Sequence, residues 1–200
     1  MILNILRILA SYLLGSISFS YIAGVLCKGI DIRNFGSGNA GTTNVLRVLG
    51  PAPAVAVLLC DVFKGVASIY LGKASGSEII MLLCGIAVVV GHNYPVFLRF
   101  KGGKGIATSL GVILTISPLW SSILILIGLV VLYKTRIVSL SVMVGTVLFP
   151  FMFVLVHRTW YHLIFALILT CLALYRHKSN LARILSGEEP KLGERESRIK

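Results

Sequence analysis

The chain has 200 residues, 56% of them hydrophobic and 13% charged, with a mean hydropathy of +0.92 and a formal net charge of +12. A soluble domain of this length cannot hide so much apolar surface, and a disordered chain carries far less of it. Composition therefore specifies an integral membrane protein, and the +12, which alone would fit a nucleic-acid binder, is judged by where the 19 Lys and Arg residues sit.

A membrane span needs about 20 apolar residues. The first run is Ile2–Cys27, too long for a signal-peptide core and without a convincing cleavage pattern. Ser16, Ser20 and Gly24 recur along it every four residues, which predicts a small-residue stripe for close helix packing. Pro51 and Pro53 open a second run, about Ala54 to Leu71, since prolines suit a helix start. Ile79–Leu98 is the third and ends in a segment containing Pro95. Ile106–Leu132 is long for one span, short for two full ones, and broken at Ser117-Pro118. Ile137–Val156 and Trp160–Tyr175 complete the series, and a polar tail runs from Arg176 to Lys200. Cys27, Cys60, Cys84 and Cys171 are isolated, so neither a disulfide framework nor a metal site is indicated.

The basic residues choose between six spans and seven. If the fourth run bends at Pro118 into a short pair, Lys28, Arg33, Arg47, Arg99, Lys101, Lys104, Lys134, Arg136 and the basic residues of the tail share one face. The other face keeps only Arg7, Lys73 and Arg158. With six spans this bias disappears. Cytoplasmic loops carry the excess of Lys and Arg. The expected fold is therefore all-α: a polytopic bundle of seven transmembrane helices with a short pair broken near Pro118, N-terminus outside and C-terminus cytoplasmic. A single domain over residues 1–200 is expected, with its polar tail at about 176–200. Two half-length spans require local thinning or burial by neighbours.

Chemistry is concentrated in the loops of the basic face. Between Asp31 and Arg47, Gly36, Gly38 and Gly41 allow close backbone approach and positive φ. Ser37, Asn39, Thr42, Thr43 and Asn44 add neutral hydrogen-bonding groups, and Arg47 adds a bidentate donor for phosphate or carboxylate. No Lys follows as in a Walker loop, and the residues around Ser37 do not fit a nucleophile elbow. The segment from Gly91 and His92 to Gly105 places Gly102, Gly103 and Gly105 around Lys101 and Lys104, directly before a helix expected from about Ile106. Backbone N–H groups, a helix N-terminus and two lysines make a second phosphate nest. Near the last span, His177 and Asn180 fall on one face if the helix continues, and Arg183 follows. Ser139 opens the sixth span on the same side.

Asp61 and Lys64, at i and i+3 inside the second span, can pair with each other, which favours a structural role. Four of the acids, Glu188, Glu189, Glu194 and Glu196, stand in the tail, so no carboxylate cluster for Mg²⁺ is available. His157 and His162 are expected at the outer interface. Two phosphate cradles on one face of a membrane imply two phosphorylated substrates, one soluble and one lipidic. A transporter of organic phosphates is the alternative. Against it, the polar residues cluster on one side, whereas alternating access needs a path through the midplane. A CDP-alcohol phosphotransferase would need the missing acidic cluster.

The signatures in series carry a resemblance. Gly36-Ser37-Gly38-Asn39-x-Gly41-x-Thr43-Asn44-x-x-Arg47, Asp61-x-x-Lys64-Gly65, Gly91-His92-x-x-Pro95-x-Phe97, Phe100-Lys101-Gly102-Gly103-Lys104-Gly105 and Arg176-His177-x-x-Asn180-x-x-Arg183 resemble the acyl-phosphate-dependent glycerol-3-phosphate acyltransferases of bacterial phospholipid synthesis. The similarity runs from the first span to Glu188. It implies a seven-helix enzyme of the bacterial cytoplasmic (inner) membrane, active on the cytoplasmic side. The implied reaction moves a fatty acyl group from acyl phosphate to the 1-hydroxyl of glycerol 3-phosphate, giving lysophosphatidic acid and phosphate. It is the first acylation of phospholipid synthesis and does not use acyl-CoA directly.

The expected catalytic groups are Lys104, His177, Asn180 and Ser37. The expected substrate-binding groups are Gly38, Asn39, Gly41, Thr43, Asn44, Arg47, His92, Lys101, Gly102, Gly103, Gly105, Ser139 and Arg183. No metal, cofactor or acyl-enzyme is expected. The expected partners are acyl phosphate, glycerol 3-phosphate and membrane lipids, with no nucleic acid, and the chain is expected to act as a monomer. His177 could serve as a base or bind phosphate, and the substrate's own phosphate oxygens could instead take the proton.

Overall fold

The computed structural model describes residues 1–193. Glu194, Arg195, Glu196, Arg198 and Lys200, counted above with the tail, lie outside the described residues. The described chain is all helical, without a β-strand, and divides into two compact units, Met1–Ile116 and Ser117–Lys200. Five helical segments are long and apolar enough to cross a membrane, or six if the bent pair at the C-terminal end forms one span.

Unit 1 contains α1 (Ile2–Ser16), α2 (Phe19–Lys28), α3 (Thr42–Leu49), α4 (Pro51–Lys73), α5 (Glu78–Asn93) and α6 (Ile106–Ile116). The first apolar run is not one helix. It breaks at Ile17, and Ser18 restarts it, its hydroxyl accepting from the Tyr21 N–H as an N-cap. The stripe expected at Ser16, Ser20 and Gly24 is thus split between two helices. Hydropathy gave no sign of the break, because the residues on both sides are apolar. Gly29 ends α2 at φ +64°, and Pro51 starts α4.

Glycines let the long helices of unit 1 meet backbone to backbone. Gly15 of α1 lies against Val88 of α5, while Gly91 of α5 lies against Tyr12 and Ser16 of α1. Gly65 of α4 and Gly111 of α6 form the same reciprocal arrangement with Thr108 and Val62. Without a hydrophobic drive between helices in lipid, such close packing supplies the adhesion. Leu3, Leu6, Leu9 and Leu13 of α1 are exposed, while Ser11, Ser16, Ser20, Asp61, Lys64, Ser68 and Thr108 are buried. Apolar residues outside and polar ones inside are what a lipid solvent requires.

Unit 2 contains α7 (Pro118–Thr135), α8 (Val138–His157), α9 (Trp160–Arg176) and α10 (Lys178–Leu185). The break expected at Ser117-Pro118 is present, with Pro118 in the first turn of α7. Pro150 lies inside α8 and removes the N–H that would meet the carbonyl of Thr146. The Thr170 hydroxyl of α9 donates to that carbonyl at 3.2 Å. His157 ends α8 and His162 lies in the first turn of α9. Their rings stack 4.1 Å apart, 6° from parallel, and His162 is buried, with its Nδ1 2.6 Å from the Thr159 hydroxyl. The last helix does not continue through His177. It bends by 60° between α9 and α10, so His177 and Asn180 do not share one straight helical face.

Candidate functional site

In unit 1 the loop from Asp31 to Gly41 is shaped from within. Asn44, on α3 and 1% exposed, accepts from the Ser37 N–H at 2.9 Å and donates to the carbonyls of Ile32 and Phe35 at 3.1 and 3.0 Å. Its amide is engaged with the loop, so it builds the cradle rather than lining it. Gly36 and Gly38 take positive φ, 57° and 70°, where a side chain would be strained. Gly41 is extended and precedes α3 as its N-cap, so the positive φ expected there is not found. Ser37, Gly38 and Thr43 are exposed, as is Arg47 on α3. Asn39 Oδ1 and Thr42 Oγ1 are buried without a protein hydrogen-bond partner.

The second loop lies against the first. Arg33 grips the Asp31 carboxylate with both Nε and Nη2, and its Nη1 donates to the Leu98 carbonyl at 3.0 Å. The Arg33 hydrogen bond holds the Asp31 carboxyl below its ordinary value, against the opposing effect of burial. Gly103 passes so close that a β-carbon there would meet His92 Nε2 and the Ala40 carbonyl, and Gly102 is pressed on the His92 carbonyl. These two glycines are demanded by packing between segments, while Gly105, at φ +82°, is demanded by conformation. Lys101 is exposed and Lys104 half-buried, just ahead of the α6 N-terminus. His92 is 7% exposed beneath the loop. Arg33 and Asp31 carried a local signal, the Asp-x-Arg spacing, yet their link to Leu98 is tertiary and was not anticipated.

In unit 2 three of the expected residues meet at one carboxylate. Glu189 Oε1 accepts from the Ser139 hydroxyl and from Asn180 Nδ2, each at 2.6 Å, and Oε2 accepts from Arg183 Nε at 2.7 Å. Burial pushes the Glu189 carboxyl up, but the bonds from Ser139, Asn180 and Arg183 outweigh it and hold it below its ordinary value. Within unit 2, Ser139, Asn180 and Arg183 are thus engaged by Glu189, a residue of the polar tail. Nothing in its local spacing marked Glu189; only the Gly187 turn, at φ +75°, hints that the chain doubles back. The Leu192 N–H then donates to the Arg136 carbonyl at 2.6 Å. His177 is 4% exposed, with Nδ1 2.8 Å from the Ala173 carbonyl. A carbonyl only accepts, so Nδ1 carries the proton and the basic lone pair is at Nε2.

A family model described as glycerol-3-phosphate acyltransferase matches residues 5–187. The glycerol-3-phosphate acyltransferase of Thermoanaerobacter sp. (strain X514) is 47% identical over 191 residues, 96% of each chain. That of Alkaliphilus metalliredigens (strain QYMF) is 47% identical over 195 residues, 98% of this chain and 99% of the relative. A solved structure described as PlsY (YgiH), an integral membrane glycerol 3-phosphate acyltransferase in its glycerol 3-phosphate form, matches with a TM-score of 0.90 at 38% identity, covering 95% of this chain and 96% of that one. The lysophosphatidic acid form of PlsY matches with a TM-score of 0.87 at 36% identity.

Proposed function

Because the chain belongs to the glycerol-3-phosphate acyltransferase family over almost its whole length, we propose that it is a multi-pass membrane enzyme moving a fatty acyl group from acyl phosphate to the 1-hydroxyl of glycerol 3-phosphate. The products are lysophosphatidic acid and inorganic phosphate. The observation that carries this reading is the joined pair of glycine-rich loops in unit 1, bearing Ser37, Lys101 and Lys104 ahead of α3 and α6, with Arg47 in the last turn of α3. Backbone N–H groups, helix ends and fixed cations are the donors that phosphate oxygens require.

The chemistry needs little more. The C1 hydroxyl attacks the acyl carbon, the new ester C–O bond forms, and the bond from that carbon to the bridging oxygen of the anhydride breaks. The departing phosphate takes the electron pair, and the hydroxyl proton goes to a phosphate oxygen. A mixed anhydride is already activated, so positioning and charge stabilisation suffice. Lys104 and Ser37 stabilise the phosphate that leaves, and Gly38, Asn39, Gly41, Thr43, Gly102, Gly103 and Gly105 shape its cradle. In unit 2, Ser139, Asn180 and Arg183 form a polar group of their own, gathered by Glu189. His177 is buried with its Nδ1 held on the Ala173 carbonyl, and in this reading the substrate's own phosphate takes the proton. The excess of Lys and Arg in one set of loops supports seven spans with the N-terminus outside and the chemistry at the cytoplasmic face.

Purified protein given acyl phosphate and glycerol 3-phosphate should release phosphate only when both are present, at a rate unchanged by a chelator. Release that needs acyl-CoA, or vesicle uptake of glycerol 3-phosphate without release, would overturn the assignment. His177→Ala should retain a measurable rate with the wild-type pH profile; complete loss of turnover with both substrates still bound would make His177 the base.

A further inference from the structure

Below the loops of unit 1 lies a buried line of polar side chains that the transfer chemistry does not use. Lys64 of α4 is 1% exposed, and its ammonium lies 2.9 Å from Asp61 Oδ1. It also donates to the carbonyls of Gly15 and Ile17, each at 3.0 Å. Those carbonyls belong to the break between α1 and α2, where the helical ladder supplies no partner. Asp61 Oδ1 is in turn 3.5 Å from His92 Nδ1, and Thr108 Oγ1 is 3.3 Å from the same nitrogen. The far side of the ring, Nε2, faces Gly103, whose N–H donates to the His92 carbonyl at 3.1 Å. The line therefore runs from a broken helix, through an ion pair and an imidazole, to the floor of the glycine-lysine loop. An ion pair that served only to pack helices would be replaceable by apolar side chains. This one ends on a helix break at one side and on the glycine-lysine loop at the other.

We propose that Asp61 and Lys64 are positioning residues for the transfer reaction: Lys64 holds the α1–α2 break in shape, and Asp61 fixes the His92 ring as the floor under Gly102–Gly105, so that the loop keeps its phosphate-holding geometry. The proposal rests on the reading above that this loop holds substrate phosphate.

The variant D61N/K64M removes both charges at nearly constant volume and leaves no lone buried charge. It should melt within a few degrees of wild type while KM for glycerol 3-phosphate or acyl phosphate rises at least tenfold. A variant that melts like wild type with both KM values unchanged would overturn the proposal. A second measurement uses the unaltered chain labelled with 15N-histidine, the His92 signal being assigned by its loss in His92→Gln. That signal should move on saturation with inorganic phosphate, and a His92 signal indifferent to phosphate would also overturn it. If the wild-type chain shows no acyl transfer, the enzymatic reading fails, while the phosphate titration still decides the coupling of ring to loop.

Discussion

Glu189 shows how a single carboxylate can organise a site that looks cationic in the sequence. Its folded value is depressed, so its contribution is fully present above the ordinary carboxylate value of 4.5 and is lost as pH falls through the lower folded value. Glu189→Gln should therefore lower stability at pH 7 by about 2 kcal/mol, the range for hydrogen bonds to a charged group. The difference in melting temperature between variant and wild type should shrink as the pH is taken below 4.5. Gly103 makes the opposite point, since its worth lies in having no side chain. Gly103→Ala drives a methyl into His92 and Ala40, and displacement of the loop by about 1 Å should lower kcat/KM by about 100-fold. Gly128→Ala, where the nearest atom to the new methyl is Ser141 Oγ at 3.5 Å, should leave turnover unchanged.

At the scale of the helix, two of the interruptions inside apolar runs are repaired by side chains from a neighbouring helix. Thr170 repairs the ladder broken by Pro150, and Lys64 repairs the one broken at Ile17. Thr170→Val keeps the shape but strands the Thr146 carbonyl, which should lower stability by about 1 kcal/mol in a melting experiment in detergent. These elements also show what was legible beforehand. The break at Ser117-Pro118 and the start of α4 could be read because proline fixes φ and has no N–H. The break at Ile17 could not, because a serine N-cap inside an unbroken apolar run looks like any small residue. The i, i+3 spacing of Asp61 and Lys64 disclosed their pairing, but His92 joins them from another helix, and no local pattern encodes that contact. The two glycine-rich loops were visible as candidate cradles; that Asn44 shapes one and Glu189 gathers Ser139, Asn180 and Arg183 depended on tertiary contacts.

For the whole molecule, the bias of Lys and Arg to one set of loops is an argument about the membrane's two sides. In a background without the native cysteines, Ala74→Cys, exposed after α4, should react with an impermeant maleimide on intact cells. Ser179→Cys, exposed on α10, should react only after permeabilisation. Equal labelling of both would refute seven spans with the C-terminus inside. On the proposed topology most of the +12 would record orientation, with a few of its members serving phosphate.

The cap that Lys64 places on α1 and α2 also has a temporal side. The chain emerges from its N-terminus, so Gly15 and Ile17 reach the bilayer well before residue 64 is made. Until α4 arrives, their carbonyls have no ammonium to meet, and Lys64 itself enters beside Asp61, already neutralised within its own helix. The N-terminal helices thus receive their last polar partner from a segment made after them, and the backbone at their break is satisfied once Lys64 has docked.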